Sequence, residues 1–122
     1  MPGQRILLVE DDDDNREILA LALRGAGYIV DAAATAAQAH VALMGLRYAL
    51  VIADWRLPDG DGTLVAKYAE LFGAKTFVMS GYLLRMPSAT IDARQTLMKP
   101  IRPSELVTAV LDCIGGPAEH SA

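Results

Sequence analysis

A chain of 122 residues with 52% hydrophobic and 21% charged side chains has enough apolar material for one core and too much to stay disordered. Its net charge of −4 argues against nonspecific binding to nucleic acid, and no apolar run approaches the ~18 residues of a membrane span. One cysteine, Cys113, rules out an internal disulfide, and Met1-Pro2-Gly3-Gln4-Arg5 has no signal-peptide pattern, so the expected compartment is the cytoplasm.

The first element is the apolar run Ile6-Leu7-Leu8-Val9, short enough to read as a strand. Five acids follow it directly, Glu10-Asp11-Asp12-Asp13-Asp14. Neighbouring carboxylates at ~5 Å repel by roughly 1–3 kcal/mol per pair at effective dielectrics of 80 to 20. Two explanations stand open: a solvated turn whose last members cap the next helix, or a divalent cation that turns the repulsion into binding. Asn15–Ala26 has helical periodicity, with Ile18, Leu19, Ala22 and Leu23 on one face, and stops at the Gly25/Gly27 pair. Tyr28–Ala33 reads as a second strand. Thr35 is an N-cap for a helix over Ala36–Leu46 that is expected to bury Ala37, Val41 and Met44. Ala49–Ala53 is a third strand and delivers Asp54. Thr63–Phe72 is a helix aligning Leu64, Val65, Tyr68 and Phe72 and ending at Gly73. Thr76–Met79 and Thr96–Met98 are the last strands, and a final helix opens near Pro103 and buries Leu106, Val107, Val110, Leu111 and Ile114.

Strands that are apolar throughout are covered on both faces, which implies a parallel sheet. The alternation βαβαβαβαβα therefore predicts an α/β doubly wound domain with no internal repeat and no second domain. In such sheets the site lies beyond the carboxyl ends of the strands. The residues delivered there are Glu10, Asp11 and Asp12 from the first strand, Asp54 from the third, Ser80-Gly81 from the fourth and Lys99-Pro100 from the fifth. Carboxylate oxygens suit Mg²⁺. A lysine adds a point positive charge, and a hydroxyl can donate to a phosphoryl oxygen.

The segments Ile6-Leu7-Leu8-Val9-Glu10-Asp11-Asp12, Asp54-Trp55-Arg56-Leu57-Pro58-Asp59-Gly60-Asp61-Gly62, Met79-Ser80-Gly81-Tyr82 and Met98-Lys99-Pro100 together resemble the receiver domain of bacterial two-component response regulators, over residues 5–114. The resemblance implies a flavodoxin-like (βα)5 fold with strand order 2-1-3-4-5. It assigns the whole chain, 1–122, to one receiver domain with a core at 5–114 and a flexible tail at 115–122. It implies a phosphorelay role: Asp54 accepts a phosphoryl group from a histidine kinase or histidine phosphotransfer protein, and the chain signals to a downstream protein target. Asp11 and Asp54 would bind Mg²⁺ or Mn²⁺ directly, with the Arg56 backbone carbonyl. Glu10 would act through a metal-bound water, Lys99 would pair with phosphoryl oxygens, and Ser80 would hydrogen-bond the phosphoryl group. The Lys99-Pro100 bond matches the family's cis peptide. Such a protein is a phosphoacceptor rather than a turnover enzyme, a monomer or weak dimer without nucleic-acid or membrane partners.

The chain also departs from the family's pattern. The position three before the lysine, ordinarily Tyr or Phe, is Thr96, and the stretch 81–95 is about one turn short, so the fourth helix is expected to be short or irregular. The signal is then expected to leave through Ser80-Gly81-Tyr82 and a mobile 81–95 segment, with Arg56 and Tyr82 tuning acyl-phosphate lifetime. Two other classes compete. One is a degenerate receiver that only binds protein, which the full set Glu10, Asp11, Asp54, Ser80 and Lys99 opposes. The other is an Mg²⁺-dependent phosphatase of the haloacid dehalogenase type, which wants its nucleophile after the first strand and another Asp two residues on, where this chain has Arg56. The remaining polar residues read as structural: Asp13, Asp14 and Asn15 as a solvated helix start, Asp59 and Asp61 as turn formers, His40 as an outer-face residue of the second helix and Cys113 as a packing residue. His120 lies in the tail, and two distant histidines with one cysteine make zinc improbable.

Overall fold

The computed structural model describes residues 4–81 and 96–116. In chain order the elements are β1 (Arg5–Val9), α1 (Asp13–Gly25), β2 (Ile29–Ala33), α2 (Ala36–Gly45), β3 (Leu50–Asp54), β4 (Arg56–Leu57), β5 (Gly60–Asp61), α3 (Gly62–Leu71), β6 (Lys75–Ser80), β7 (Thr96–Met98) and α4 (Pro103–Ile114). Five strands form one sheet in the order β2-β1-β3-β6-β7, every pairing parallel. This is the 2-1-3-4-5 order expected from the resemblance. The two-residue strands β4 and β5, missed in the sequence, form a small antiparallel hairpin of their own. A fourth helix within 82–95, Tyr82 and the tail from 117 lie outside the described residues.

The central strands send alternate side chains to opposite faces, as strand geometry requires. Ile6, Leu8, Leu50, Ile52 and Met79 point into one core with Leu19 and Leu23 of α1 and Leu106 and Val110 of α4. Leu7, Val9, Val51 and Ala53 point into a second core with Ala36, Ala39 and Leu43 of α2 and Val65 and Ala69 of α3. Burying each large aliphatic side chain stabilises the fold by about 1.5–3 kcal/mol. Both central strands are therefore fully committed, and their carboxyl ends are fixed relative to one another.

The helix faces correct several expectations. In α2 the buried residues are Ala36, Ala39 and Leu43, while Ala37, Val41 and Met44 are exposed. The helix is apolar nearly all round, so the sequence holds no periodic contrast to fix its rotation. In α3 the buried set is Gly62, Thr63, Val65, Ala66 and Ala69, with Leu64 and Phe72 exposed and Tyr68 half-buried. In α1 Ile18 is exposed, and Ala20 joins Leu19 and Leu23 in the core. In α4 Leu106 and Val110 are buried, Val107 and Ile114 pack from the margin, and Leu111 is exposed. His40 is half-buried rather than outward: its ring lies 4.6 Å from that of Tyr68, centroid to centroid. Cys113 packs at the core margin, as expected.

Candidate functional site

The acidic run splits by chain geometry. Glu10 continues β1, its N–H donating to the Ala33 carbonyl at 3.0 Å. Asp12 caps α1, accepting from Asn15 N–H at 2.8 Å, so it serves the helix rather than the metal wall. Asp13 and Asp14 occupy the first turn, where the helix dipole favours negative charge. Helix α1 thus begins two residues earlier than its periodicity indicated, because the cap is Asp12.

What remains at the carboxyl ends of the strands is a compact charge cluster. Glu10 is fully buried and Asp54 nearly so, while Asp11 is exposed. One carboxylate oxygen from each of the three lies within 4.8 Å of the others. Lys99 crosses from the far side: its ammonium donates to Glu10 Oε1 at 3.1 Å and to Asp54 Oδ1 at 2.9 Å. One ammonium cannot balance three carboxylates. The second oxygens, Glu10 Oε2 and Asp54 Oδ2, are buried without a hydrogen-bond partner among the described residues. A buried, unsatisfied carboxylate oxygen is costly, so the pocket is built for a further positive group. An all-oxygen donor set fits a hard divalent cation such as Mg²⁺ or Mn²⁺.

Each surrounding residue is placed by local structure. Ser80 is buried at the end of β6, and the Lys99 N–H donates to its carbonyl at 3.0 Å, extending the β6–β7 pairing to the lysine. The Lys99-Pro100 bond is cis. Asp54 is the last residue of β3, held in register opposite Met79, and the next N–H, of Trp55, donates to the Met79 carbonyl at 2.8 Å. Gly62 lies so close beneath this turn that a Cβ on it would stand 1.7 Å from the Asp54 carbonyl oxygen, so only glycine fits. Asp11, Asp54, Trp55, Arg56, Ser80, Gly81 and Lys99 line a single cleft. The Arg56 guanidinium lies 4.9 Å from the Trp55 ring centroid. Of the proposed tuning residues, Arg56 borders the cleft and Thr96 begins β7, opposite Val78.

The sequence missed two supports. Asn15 Nδ2 donates to Glu10 Oε1, and the Arg16 guanidinium donates to the Glu10 carbonyl at 2.9 Å and to Asp13 at 2.5 Å. Both sit one turn into α1, where a helix running back past the strand end brings them over Glu10; only the fold reveals that proximity. Asp59 is likewise more than a turn former. It accepts from the N–H groups of Ala36 and Ala37, which hold its carboxyl below the usual range against a smaller opposing effect of burial. Asp61 behaves as expected of its turn, capping α3 through Thr63.

No described helix is long and apolar enough to cross a membrane. The family model of the response regulator receiver domain matches residues 6–111. The chain is 34% identical over 115 residues to the DNA-binding response regulator MtrA of Mycolicibacterium smegmatis, an alignment covering 88% of this chain and 49% of MtrA. It thus spans about half the length of the curated relatives it matches. A CheY-like receiver domain from Methanospirillum hungatei superposes with a TM-score of 0.78 at 28% identity, covering 89% of this chain and 91% of that one. The receiver domain of the sensor histidine kinase PA1611 of Pseudomonas aeruginosa, which carries a magnesium ion in its active-site cleft, gives 0.78 at 29% identity over 93% and 99% of the two chains. With a match that runs from the first strand into the last helix, on the same fold, the chain belongs to the receiver domain family of two-component response regulators.

Proposed function

We propose that the chain accepts a phosphoryl group on Asp54 in a reaction that depends on Mg²⁺ or Mn²⁺. The donor is the phosphohistidine of a kinase or phosphotransfer protein. One observation carries the reading: Lys99 bridges two buried carboxylates, Glu10 and Asp54, yet an oxygen of each, beside Asp11, has no partner among the described residues. That is an anionic pocket with one resident cation and room for a second.

Asp11 and Asp54 would hold the metal directly, with the Arg56 carbonyl, and Glu10 would reach it through water. A bound divalent cation would supply neutralisation of the charge on the phosphoryl oxygens. Asp54, fixed by the β3–β6 register, presents its carboxylate for in-line attack; an Asp54 O–P bond forms as the donor imidazole N–P bond breaks. Lys99 and the Ser80 hydroxyl then hold phosphoryl oxygens, a transfer of Lys99 that requires no movement of its backbone anchor on Ser80. Positioning and charge stabilisation, rather than covalent chemistry by other side chains, account for such transfers. One phosphoryl group per chain makes this a switch and not a turnover enzyme. The partners are a kinase or phosphotransfer protein and a downstream protein. The DNA binding in the name of MtrA belongs to a protein about twice as long. A cytoplasmic location follows from that role.

The sole tryptophan, Trp55, adjoins Asp54 and supplies the test. Its fluorescence should change on titration with Mg²⁺ and again with beryllofluoride. Asp54→Asn should keep a weakened first response and lose the second. A flat response to both additions in the wild type would favour a degenerate binding module.

A further inference from the structure

We infer that Asp59 is a positioning residue for the cation pocket, clamping the hairpin that follows Asp54 onto the N-terminus of α2. The inference rests on the functional reading above, because the hairpin acts on the pocket through Arg56, whose carbonyl that reading gives to the cation.

Arg56 sits in β4, at the start of the hairpin. The base of the hairpin is closed by Gly62 N–H donating to the Trp55 carbonyl at 2.6 Å, and its strands pair Arg56 with Asp61 and Leu57 with Gly60. Two pairs of residues are too few to hold a ribbon rigid in water. The fixing comes from outside. Leu57 is buried in the alanine-rich core beside Ala36 and Ala39. At the tip, Asp59 Oδ1 accepts from Ala36 N–H at 2.8 Å and Oδ2 from Ala37 N–H at 3.0 Å. Gly60 closes on the same helix end, where an added Cβ would stand 3.5 Å from Ala36 Cβ.

Helix α2 already has its own cap. Thr35 accepts from Gln38 N–H at 3.1 Å. The first-turn donors that Thr35 leaves over are taken by a carboxylate more than twenty residues away in sequence. Such a bond joins two segments far apart in sequence, and it fixes the hairpin as much as it caps the helix. Groups that orient a ligand without touching the metal commonly govern affinity.

Three variants separate positioning from capping and from charge. Asp59→Ala removes both bonds, Asp59→Asn removes the charge and one of the two acceptors, and Thr35→Ala removes the local cap without touching the hairpin. The readouts are the Mg²⁺ midpoint from Trp55 fluorescence and, without metal, amide exchange at residues 56–61. Asp59→Ala is expected to raise the midpoint about tenfold and to speed exchange in the hairpin. Asp59→Asn, with one acceptor oxygen for the two N–H groups, should fall between Asp59→Ala and wild type, and Thr35→Ala should leave both readouts at wild-type values while lowering the melting temperature. Equal behaviour of Asp59→Ala and Thr35→Ala would overturn the clamp, since capping alone would then explain it. A loss in Asp59→Ala that vanishes at about 1 M salt, where the field of an exposed carboxylate is screened, would overturn it in favour of charge. If the wild type itself gives no Mg²⁺ response, the functional reading fails and the clamp with it; a normal wild-type response with an unaltered Asp59→Ala sinks the clamp alone.

Discussion

The two faces of the sheet are packed by different means. The face covered by α1 and α4 is filled with large aliphatic side chains: Ile6, Leu8, Leu19, Leu23, Leu50, Ile52, Met79, Leu106 and Val110. The face covered by α2 and α3 is rich in alanine, with Ala33, Ala36, Ala39, Ala53, Ala69 and Ala74 beside a few larger residues. Large side chains leave deep cavities when lost; small ones admit close approach and tolerate no growth. Each face also serves the pocket. The first holds α1 where Asn15 and Arg16 reach Glu10. The second lets α2 approach closely enough for Asp59 to reach its N-terminus.

The comparison breaks most sharply at Leu106, which is fully buried on the aliphatic face. Leu106→Ala should cost about 2–5 kcal/mol in urea unfolding; a loss within the noise would mean that the face is not close-packed. Ala39, fully buried on the other face, should show the opposite sensitivity. Ala39→Leu is expected to destabilise by about 1–3 kcal/mol through overpacking, and a neutral result would reveal unused space beneath α2.

A third, smaller effect tests a polar tie at the edge of the alanine-rich face. The Tyr48 hydroxyl donates to Asp31 at 2.7 Å, and Asp31 also pairs with Arg5 at 2.8 Å. Tyr48→Phe should cost about 1 kcal/mol at neutral pH. Burial, reinforced by the Asp31 bond, holds the Tyr48 hydroxyl well above its ordinary pKa. Above about pH 10 the unfolded chain releases that proton while the folded chain keeps it, so wild-type stability should fall as pH rises from there. Urea midpoints of Tyr48→Phe and wild type should therefore converge on the alkaline side; parallel curves would contradict the assignment. Smallest of all, Met44→Ser should change stability by less than about 0.5 kcal/mol, because the side chain is exposed. A large loss there would restore the helix face that the sequence pattern suggested.

The same contrast explains what could be read from the chain. The strands were legible because their apolar runs are short, β-branched and bounded by turns, and their ends named Asp54, Ser80 and Lys99 without help from helix packing. On the aliphatic face helical spacing picks out Leu19, Leu23, Leu106 and Val110, but it also assigns Ile18 and Leu111 to those faces, and both are exposed because neighbouring apolar residues blur the edge of each stripe. On the alanine-rich face nothing marks Ala36 and Ala39 against Ala37 and Val41, so the pattern turns α2 to the wrong side. Asp59 was hidden for a related reason: its partners are backbone N–H groups in a distant helix, and no spacing in the sequence points to them. Within the acidic run, Glu10 and Asp11 were separable from Asp13 and Asp14 by their distance from β1, whereas the cap at Asp12 depended on where the helix actually turns.

The most direct test of the whole account is the mass of the intact protein after incubation with Mg²⁺ and acetyl phosphate. The account predicts a single phosphoryl adduct, absent without the metal, absent in Asp54→Asn and mapped by peptide analysis to Asp54. An adduct that persists in Asp54→Asn, or none from acetyl phosphate and from a panel of phosphorylated kinases, would contradict it.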